Sequence, residues 1–459
     1  MLEKLLIANR GEIAVRIISA CRELGIRTLA VYSQADEDSL HVHLADEAIC
    51  IGDGPADGSY LRMDRILAAA ELGNVDAIHP GYGFLSENAK FAEQCRACGI
   101  AFVGPGADVI ARLGDKARAR DAALRAKVPV LPGSDGPVER AEDGLRQARR
   151  VGFPILLKAV SGGGGKGMRL VRCADEFFRE FAIAQVEAEK NFGDGRIYFE
   201  KFLGEPRHIE FQILADGHGH VLHLGERDCS IQRRYQKLIE EAPSPALDAS
   251  LRRKMGEAAV RLAKSCSYQS AGTVEFLLDR DGKFYFMEMN TRIQVEHGVT
   301  EMVTGIDLVQ WQLRIAAGER LDLEQKDVRM SGHAVECRIN AEDPSNSFAP
   351  QPGTISLWYL PGGPGIRIDS HAYGGYRIPH HYDSLLGKII AIGRDRTSAL
   401  RKMESALAAA VVQGIHTTIP YLREIFADQI FQSGHFATNF LEKFSTRHGA
   451  DLGQERRQL

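Results

Sequence analysis

A glycine run in the first half of the chain has the residue types of a phosphate-binding loop. Residues 161–168 read SGGGGKGM and lie between two strand patterns. Consecutive glycines raise the entropy cost of folding, but they expose backbone N–H groups that can surround phosphate oxygens. The spacing differs from the Walker pattern G-x-x-x-x-G-K-[ST], because Gly167 follows Lys166. The run therefore predicts a lid over a nucleotide, with a plain hairpin tip as the alternative.

Two lysines near this run are candidates for phosphate contacts. Lys158 lies near the end of the apolar strand pattern FPILLKAV, where a lone buried ammonium would be unfavourable, so we expect it to be paired or functional. Lys116 lies in the charged helical pattern GDKARAR, and an exposed helix lysine is the simplest interpretation of it.

A predicted hairpin carries acidic residues that suit a metal ion. Residues 272–279 (GTVEFLLD) and 283–290 (KFYFMEMN) are strand patterns on either side of a short turn. Pairing about that turn places Glu275 opposite Glu288, and strand alternation puts Asn290 on the same face. Two carboxylates and an amide oxygen suit Mg²⁺ that also binds nucleotide phosphates. A half-exposed sheet with cross-strand charge pairs is the alternative.

The residues after this hairpin could add an electrophile and a base. If the extended conformation persists, Arg292 and Glu296 point toward the same centre. A guanidinium there can stabilise developing negative charge, and a carboxylate can act as a general base. More basic residues lie near carboxylates in residues 226–243 and 333–344, where surface ion pairs are the ordinary explanation. They are Arg227, Arg233, Arg234, Lys237 and Arg338.

Strand and helix patterns alternate in the N-terminal part that precedes these residues. The strand patterns LLIAN, TLAVYS, DAIHP and IAFVG and an amphipathic run from Ile13 to Leu24 predict a doubly wound α/β domain with a mostly parallel sheet. Its first turn, residues 9–12 (NRGE), lacks G-x-G-x-x-G, so a dinucleotide site is not expected. Residues from 151 onward fit a small α/β lid unit, and paired strands follow from about Pro206.

The length of 459 residues exceeds the usual size of a single core, so we expect several domains of α/β and α+β type. The predicted parts are an N-terminal α/β domain, linker helices with the lid, a core with the metal site, a β-rich C-terminal domain and a polar tail. Their ranges are 1–114, 115–203, 204–330, 331–446 and 447–459, in that order.

Composition narrows the class of protein. With 44% hydrophobic and 26% charged residues, the chain is neither disordered, collagenous nor a disulfide scaffold. A net charge of −4 gives no general attraction for nucleic acid or anionic membranes. The sequence contains no apolar run of about 18 residues, and MLEKLLIANRGE does not fit a signal peptide, so a cytoplasmic protein is expected. Cys95 and Cys98 lie in a helical pattern, and the histidines lack metal-ligand spacing, so neither set predicts a metal site.

Four motifs together resemble the biotin carboxylase family of the ATP-grasp superfamily. They are HPGYGFLSEN (79–88), KAVSGGGGKGM (158–168), MEMNTRIQVEH (287–297) and HAVECRINAED (333–343). The resemblance runs in order from IANRGEIAVRI to YDSLLGKII and is highly specific. It implies a ligase, the stand-alone subunit of a biotin-dependent carboxylase. The implied small molecules are ATP, Mg²⁺ or Mn²⁺, bicarbonate, and biotin held on a carrier protein.

The resemblance also implies site residues. Those on nucleotide positions are Lys116, Lys158, Gly163, Gly164, Gly165, Glu200, Lys201, Phe202, Leu203, His208, Gln232, Tyr235, Glu275 and Glu288. Those on metal positions are Glu275, Glu288 and Asn290. Those on bicarbonate positions are Lys237, Arg292, Gln294 and Val295. The implied catalytic residues are Arg292, Glu296, Lys237 and Arg338, with Glu296 as the base and Arg338 facing biotin.

In the implied mechanism, Glu296 deprotonates bicarbonate, which attacks the γ-phosphate of ATP to give carboxyphosphate and ADP. Carboxyphosphate then releases CO₂ and phosphate in the closed site. The phosphate removes the ureido proton of biotin, Arg338 stabilises the enolate, and the enolate captures CO₂.

The chain departs from the family pattern at four positions. Tyr235 replaces a histidine and cannot become cationic near neutral pH, which predicts an altered nucleotide affinity or pH profile. Gly298 replaces a proline and is expected to loosen the segment after the base. Ser19 and Pro364 stand where bacterial relatives carry an arginine and a phenylalanine near the dimer contact.

The sequence contains no Met-Lys-Met biotin-attachment motif, so the carrier and the carboxyltransferase subunits are expected to be separate chains. The resemblance implies a homodimer and the first half-reaction of acetyl-CoA carboxylase in fatty acid biosynthesis; propionyl-CoA, pyruvate and urea-type systems stay open. Two other functions are alternatives. One is another ATP-grasp carboxylate ligase, and the other is a non-catalytic nucleotide-binding paralogue.

Overall fold

A computed structural model describes residues 2–161 and 168–448 of the chain. The predicted nucleotide-binding glycines Gly163, Gly164 and Gly165 lie outside the described residues, as does most of the predicted tail. Among the helices of the described ranges, none combines the length and the apolar character that crossing a membrane requires.

The N-terminal region is a parallel sheet flanked by helices. Its strands are β1 (Lys4–Ile7), β2 (Arg27–Ser33), β3 (Glu47–Gly52), β4 (Ala77–His79) and β5 (Ala101–Phe102). Its helices are α1 (Gly11–Glu23), α2 (Leu40–Leu44), α3 (Met63–Leu72), α4 (Ala89–Ala97) and α5 (Ala107–Gly114). The strand order β3-β2-β1-β4-β5, with every pair parallel, confirms the doubly wound prediction. The turns after β1 and β4 meet, because Asn9 Nδ2 donates to the carbonyls of Pro80 and Tyr82, both at 2.7 Å.

A second, smaller unit follows α6 (Lys116–Arg125), and we call its residues 141–201 the lid unit. It contains α7 (Ala141–Val151), β6 (Ile155–Ala159), β7 (Met168–Val171), α8 (Phe177–Phe192) and β8 (Ile197–Lys201). Its antiparallel sheet has the order β7-β6-β8. Alternation along β6 buries Ile155 and Leu157 in the same apolar core as Phe177 and Phe181 of α8. Lys158 therefore emerges on the opposite face of this sheet.

The largest sheet has eight strands in the antiparallel order β13-β12-β9-β10-β11-β14-β21-β19. These are β9 (Arg207–Ala215), β10 (Val221–Arg233), β11 (Gln236–Ala242), β12 (Ser270–Leu278), β13 (Phe284–Asn290), β14 (His333–Asn340), β19 (Ile366–Ser370) and β21 (Leu385–Gly393). The accompanying helices are α9 (Ala249–Ser265), α10 (His297–Thr304) and α11 (Leu308–Ala316). Because β11 pairs with β14, the sheet continues across the predicted boundary at residues 330 and 331.

The rest of the C-terminal region combines short strands with helices. The strands pair two by two and are β15 (Glu342–Asp343) with β16 (Ala349–Pro350), β17 (Gly353–Thr354) with β20 (Arg377–Ile378), and β18 (Leu357–Tyr359) with β22 (Val411–Gln413). The helices are α12 (Arg396–Ala409), α13 (Ile419–Ala427), α14 (Gln429–Ser433) and α15 (Phe440–His448). The region predicted to be β-rich therefore also contains helices. They bury an aromatic cluster that includes Phe426, Phe431, Phe440 and Phe444 against the large sheet.

Candidate active site

The β12–β13 hairpin has the predicted register, with Glu275 opposite Glu288. Glu275 Oε1 accepts hydrogen bonds from Asn290 Nδ2 and Gln294 Nε2, both at 2.8 Å, and Glu275 Oε2 lies 2.9 Å from His208 Nε2. The hairpin therefore brings the three predicted metal ligands together.

The electrostatics of this acidic pair favour a cation. Burial and the charge of Glu275 raise the pKa of Glu288. Burial alone would also raise the pKa of Glu275, but the positive charges of Lys237 and His208 outweigh it and lower that pKa. Glu275 is buried and Glu288 is half-buried, and the nearby cations do not outweigh the negative charge that raises the pKa of Glu288. The two facing carboxylates therefore form an oxygen-rich site that suits Mg²⁺.

A second cluster of possible metal ligands lies beside this pair, but a lysine already contacts its carboxylates. Ligand atoms of His208, Glu210 and Glu275 lie within 4.8 Å of one another. Lys237 Nζ, however, lies 2.6 Å from Glu210 Oε2 and 3.1 Å from Glu275 Oε1. The ammonium group thus provides the positive charge that a metal ion would otherwise supply there.

Lys237, on β11, is the centre of a buried charge cluster. Its Nζ also lies 2.6 Å from Glu296 Oε1, so one ammonium contacts three carboxylates. Burial alone would lower the pKa of Lys237, but the three carboxylates outweigh it and raise that pKa well above its usual value. A single positive charge cannot balance three negative ones, so further cations are required.

Arg227 supplies one of these cations from the neighbouring strand β10. It is fully buried and pairs with Glu210. The same guanidinium donates to Gln212 Oε1 at 2.7 Å, to Thr300 Oγ1 at 2.9 Å and to Gln294 Oε1 at 3.2 Å. Arg227 therefore neutralises Glu210 and orients Gln294 in a place without access to water.

Arg338, on β14, supplies another cation. Its Nη2 lies 2.9 Å from Glu296 Oε2, and its Nε donates to Glu240 Oε1 at 2.7 Å. Burial would raise the pKa of Glu296, but Lys237 and Arg338 lower it well below the usual value. The Glu296 carboxylate is consequently ionised and held between two cations.

The segment after β13 does not stay extended, which corrects the expectation that strand alternation continues to Glu296. β13 ends at Asn290, and Glu296 instead precedes the first residue of α10. The position of Glu296 is set by the start of this helix and not by strand alternation. There its side chain contacts Lys237. The predicted local geometry is wrong, but Glu296 still lies beside the hairpin, because Lys237 contacts both Glu296 and Glu275.

Arg292 lies in this segment and is held from three sides. Its Nη2 donates to Asn290 Oδ1 at 3.0 Å, and its Nη1 donates to the carbonyl of Ile293 at 3.2 Å. Its Nε lies 3.1 Å from Oε2 of Glu87, which belongs to the N-terminal region. The guanidinium is therefore oriented beside the acidic hairpin and retains further N–H groups for an anion.

The lid unit presents a second set of predicted residues. Lys158 of β6 pairs with Glu200 of β8. Lys201 Nζ donates to the carbonyls of Gly152 and Phe153 at 2.9 Å, and Phe202 and Leu203 follow as half-buried residues. These contacts fix the end of β8 against the loop before β6.

Lys116, the first residue of α6, lies near charges of both the lid unit and the acidic hairpin. Loss of hydration lowers the pKa of its ammonium, the charge of Glu288 raises it, and the neighbouring Lys158 lowers it. Lys116 is therefore near both charges, and it is also an exposed helix residue, as the sequence suggested.

The β10–β11 hairpin carries the remaining predicted nucleotide positions. Gln232 pairs with Lys237 in register, and Arg234 and Tyr235 form a two-residue turn with φ of 47° and 65°. Positive φ at both turn positions is typical of a tight hairpin. The side chain of Tyr235 is 63% exposed. Its ring thus stands at the hairpin tip, open to contact with a ligand or another segment.

Sequence reasoning missed Glu210, Glu240 and Glu87 and left Arg227 as one of several basic residues. The sequence signal for Glu210 is weak, because alternating polar and apolar residues in HIEFQILAD predict a half-exposed strand. Only the structure shows that both faces of this strand are buried. Glu87 has no comparable signal, because it reaches Arg292 through the tertiary fold.

A buried acidic and basic centre on a large antiparallel sheet, beside a small sheet with a lysine–glutamate pair, is the architecture of an ATP-grasp ligase. Family models match consecutive stretches of the chain. They are the biotin carboxylase N-terminal domain over residues 1–110, the carbamoyl-phosphate synthase L chain ATP-binding domain over 115–324, and the biotin carboxylase C-terminal domain over 336–443.

Similar proteins agree with these matches. Biotin carboxylase of Nostoc sp. is 58% identical over 443 residues, which cover 96% of this chain and 99% of that protein. Biotin carboxylase 1 of Bacillus subtilis is 54% identical over 445 residues, which cover 97% and 99%. A crystal structure of the biotin carboxylase domain dimer of Hydrogenobacter thermophilus 2-oxoglutarate carboxylase, with MgADP, ADP and bicarbonate, has a TM-score of 0.93 at 50% identity and covers 99% of this chain and 100% of that chain. The chain belongs to the biotin carboxylase family of ATP-dependent ligases.

Proposed function

We propose that this chain carboxylates biotin on a carrier protein, using ATP and bicarbonate. The observation that carries the proposal is the buried Glu296 carboxylate held between Lys237 and Arg338, next to the Glu275–Glu288 pair. This arrangement offers an ionised base, cations for a small anion, and a metal-binding pair within one connected cluster.

ATP would bind between the lid unit and the acidic hairpin. We assign phosphate contacts to Lys116 and Lys158, with the glycine run covering them, and adenine contacts to the 200–203 segment. His208, Gln232 and Tyr235 belong to the same proposed nucleotide site. Mg²⁺ or Mn²⁺ would be held by Glu275, Glu288 and Asn290 and, when bound, neutralises phosphate charge.

Bicarbonate would bind where Lys237, Arg292, Gln294 and Val295 converge. Its oxygen attacks the γ-phosphorus as the bond to the ADP oxygen breaks, and Glu296 takes its proton, which gives carboxyphosphate and ADP. Bicarbonate also draws Lys237 and Arg292 toward its own charge. Because Lys237 then neutralises Glu296 less fully, the proton affinity of that carboxylate rises when it is needed as a base.

Biotin would bind against Arg338. Carboxyphosphate breaks down to CO₂ and phosphate, the phosphate accepts the ureido N–H proton, and the ureido nitrogen forms the new bond to the CO₂ carbon. The Arg338 guanidinium stabilises the negative charge on the ureido oxygen during this step. Exclusion of water protects the reactive intermediates.

We further propose that the partners are a biotin carboxyl carrier protein and carboxyltransferase subunits, and that the chain forms a homodimer like the Hydrogenobacter domain. The proposed acyl acceptor is acetyl-CoA, with a related acyl-CoA or pyruvate as the alternative. The five-part domain division and the cytoplasmic location stay predictions.

ADP release by the purified protein tests the proposal. We expect turnover of MgATP to require bicarbonate and to rise with free biotin, and the biotin stimulation to disappear in Arg338→Ala. Arg394→Ala is the matched control, because Arg394 is exposed and pairs only with its neighbour Asp395 at 3.2 Å among the contacts described. Turnover without bicarbonate on another carboxylate would indicate a different ligase, and nucleotide binding without turnover would indicate a non-catalytic paralogue.

A further inference from the structure

The segment between β13 and α10 carries much of the proposed bicarbonate site but pairs with no strand of residues 2–161 and 168–448. Its carbonyl groups therefore need hydrogen-bond donors from other places. The carbonyl of Gln294 accepts from His297 Nδ1 at 2.7 Å. The carbonyl of Val295 accepts from Nζ of Lys388, which lies on β21. A side chain from the C-terminal region thus holds the backbone of the residue just before Glu296.

Lys388 is a fully buried lysine, and its position is defined by acidic residues from two other elements. Its Nζ lies 3.4 Å from Glu12 Oε1 on α1 and 3.9 Å from Asp369 Oδ2 on β19. Glu12 is in turn fixed by the hydroxyl of Tyr82, which donates to it at 2.6 Å. The ammonium therefore joins the N-terminal region, the C-terminal strands and the segment of the proposed bicarbonate site.

The charge state of Lys388 suits this role. Burial alone would lower its pKa, but Glu12, Glu336 and Asp369 outweigh burial and raise it. The group is consequently an ammonium at neutral pH and donates a charge-assisted hydrogen bond, which is stronger and better defined in direction than a neutral one.

The first turn of α10 packs against β21, the strand that carries Lys388. A Cβ atom at Gly298 would lie 2.2 Å from Ile390 Cδ1 and 3.2 Å from Glu336 Oε2, so glycine permits a close approach of α10 to β21. Lys388 and Ile390 lie on one face of β21 because side chains alternate along a strand. The expectation that this glycine loosens the segment stays a prediction.

We propose that Lys388 is a positioning residue for bicarbonate, an inference that rests on the proposed function. Because a peptide unit is planar, holding the carbonyl of Val295 fixes the plane of the 295–296 peptide bond. The orientation of this plane restricts the main-chain conformation at Val295 and the direction of the Cα–Cβ bond of Glu296. Lys388 itself does not contact bicarbonate; it acts through these two residues.

The test compares Lys388→Met with Lys402→Met. Lys402 is a matched control, because its Nζ also donates to a backbone carbonyl of β21, that of Ile392 at 2.8 Å, but outside the proposed site. The bicarbonate KM of Lys388→Met should rise about tenfold, as expected for loss of a charge-assisted hydrogen bond, while its KM for ATP changes less than about twofold. Both constants of Lys402→Met should stay near the wild-type values, and Lys388→Arg should recover part of the bicarbonate affinity.

The outcomes distinguish a failure of the proposed function from a failure of the inference about Lys388. If wild-type turnover does not require bicarbonate, the proposed function and this inference both fail. If wild type requires bicarbonate but Lys388→Met keeps the wild-type bicarbonate KM, or loses ATP and bicarbonate affinity equally, only the inference fails. If Lys388→Met does not fold, Glu12→Gln is tested instead, because this change weakens the contact that holds the Lys388 ammonium but keeps the ammonium itself. A rise of about threefold in the bicarbonate KM, with the ATP KM unchanged, supports the inference. An unchanged bicarbonate KM overturns the inference.

Discussion

Lysine–glutamate contacts occur both in the lid unit and in the cluster around Lys237, but their surroundings differ. In the lid unit, Lys158 and Glu200 form one pair, and their side chains remain 19% and 15% exposed. In the central cluster, Lys237 contacts three carboxylates whose side chains are at most 4% exposed. A partly hydrated pair can exchange partners with an incoming phosphate at little cost, whereas a buried cluster is preorganised and is strongly disturbed by the loss of one member.

The lid unit and the central cluster therefore suit different tasks. The lid unit suits a ligand that enters and leaves in each cycle, because its charges are satisfied with or without that ligand. The central cluster suits chemistry, because fixed charges in a water-poor place act strongly on a developing negative charge. Substitutions in the central cluster should therefore affect catalysis and stability, and those in the lid unit should affect nucleotide affinity.

The largest effect is expected from Glu296→Gln. This change removes the proposed base while preserving the size of the side chain, so the rate of biotin carboxylation should fall by about 10³-fold. Nucleotide affinity, measured by titration with a fluorescent ATP analogue, should change less than about threefold. Glu319→Gln is the control, since Glu319 pairs with Arg314 at the surface. A Glu296→Gln enzyme that retains a tenth of the wild-type rate would exclude Glu296 as the base.

Lys237→Met tests the preorganised character of the central cluster. Removing the ammonium leaves Glu210, Glu275 and Glu296 without their shared cation, so the free energy of unfolding should fall by about 3–5 kcal/mol. Urea denaturation measures this change. Lys326→Met serves for comparison, because Lys326 is exposed and its pair with Glu324 should contribute less than about 1 kcal/mol. Equal losses in the two variants would remove the proposed distinction between buried and exposed pairs.

Lys158→Ala tests the lid unit. The KM for ATP should rise about tenfold because a phosphate contact is lost, while the free energy of unfolding changes by less than about 1 kcal/mol. Steady-state kinetics at varied ATP and a urea titration measure the two quantities. A large loss of stability with an unchanged KM would show that Lys158 serves the fold rather than the nucleotide.

Glu240→Gln should have the smallest effect, seen as a change in pH dependence. Burial raises the pKa of Glu240, Arg338 opposes this, and the charge of Glu296 adds to it, with a result of about 7 against an ordinary value of 4.5. The folded state therefore binds this proton more tightly than the unfolded state, so the stabilising contribution of protonated Glu240 is lost as pH rises from about 4.5 through 7. Relative to wild type, the variant should gain on the order of 1 kcal/mol of unfolding free energy between pH 5 and pH 8. A difference that stays constant with pH would contradict the raised pKa.

The sequence was sufficient for the parts of the site that depend on local pattern. The hairpin register of Glu275 and Glu288 follows from strand alternation around a short turn, and the doubly wound N-terminal sheet follows from alternating strand and helix patterns. The family motifs then supplied residues such as Lys237 and Arg338 that no local pattern could select from other basic residues.

Contacts between distant segments could not be predicted in this way. Glu87 reaches Arg292 across 205 positions, and Lys388 reaches Val295 across 93. Periodic patterns in the sequence report on neighbouring residues, so they do not predict these two contacts. Both contacts depend on how the regions of the chain pack together. The helices after α12 were also missed, since short amphipathic segments acquire their stability from the aromatic core they cover.

Transfer of label from ¹³C-bicarbonate to biotin would demonstrate the proposed reaction and the role of Glu296 in it. Wild-type protein with MgATP and free biotin should form N-carboxybiotin, detected by ¹³C NMR in alkaline solution where the product persists, and Glu296→Gln should form none above background. Label should appear in biotin only when ATP is present. ATP hydrolysis by wild-type protein without any labelled biotin, or equal labelling by Glu296→Gln, would contradict it.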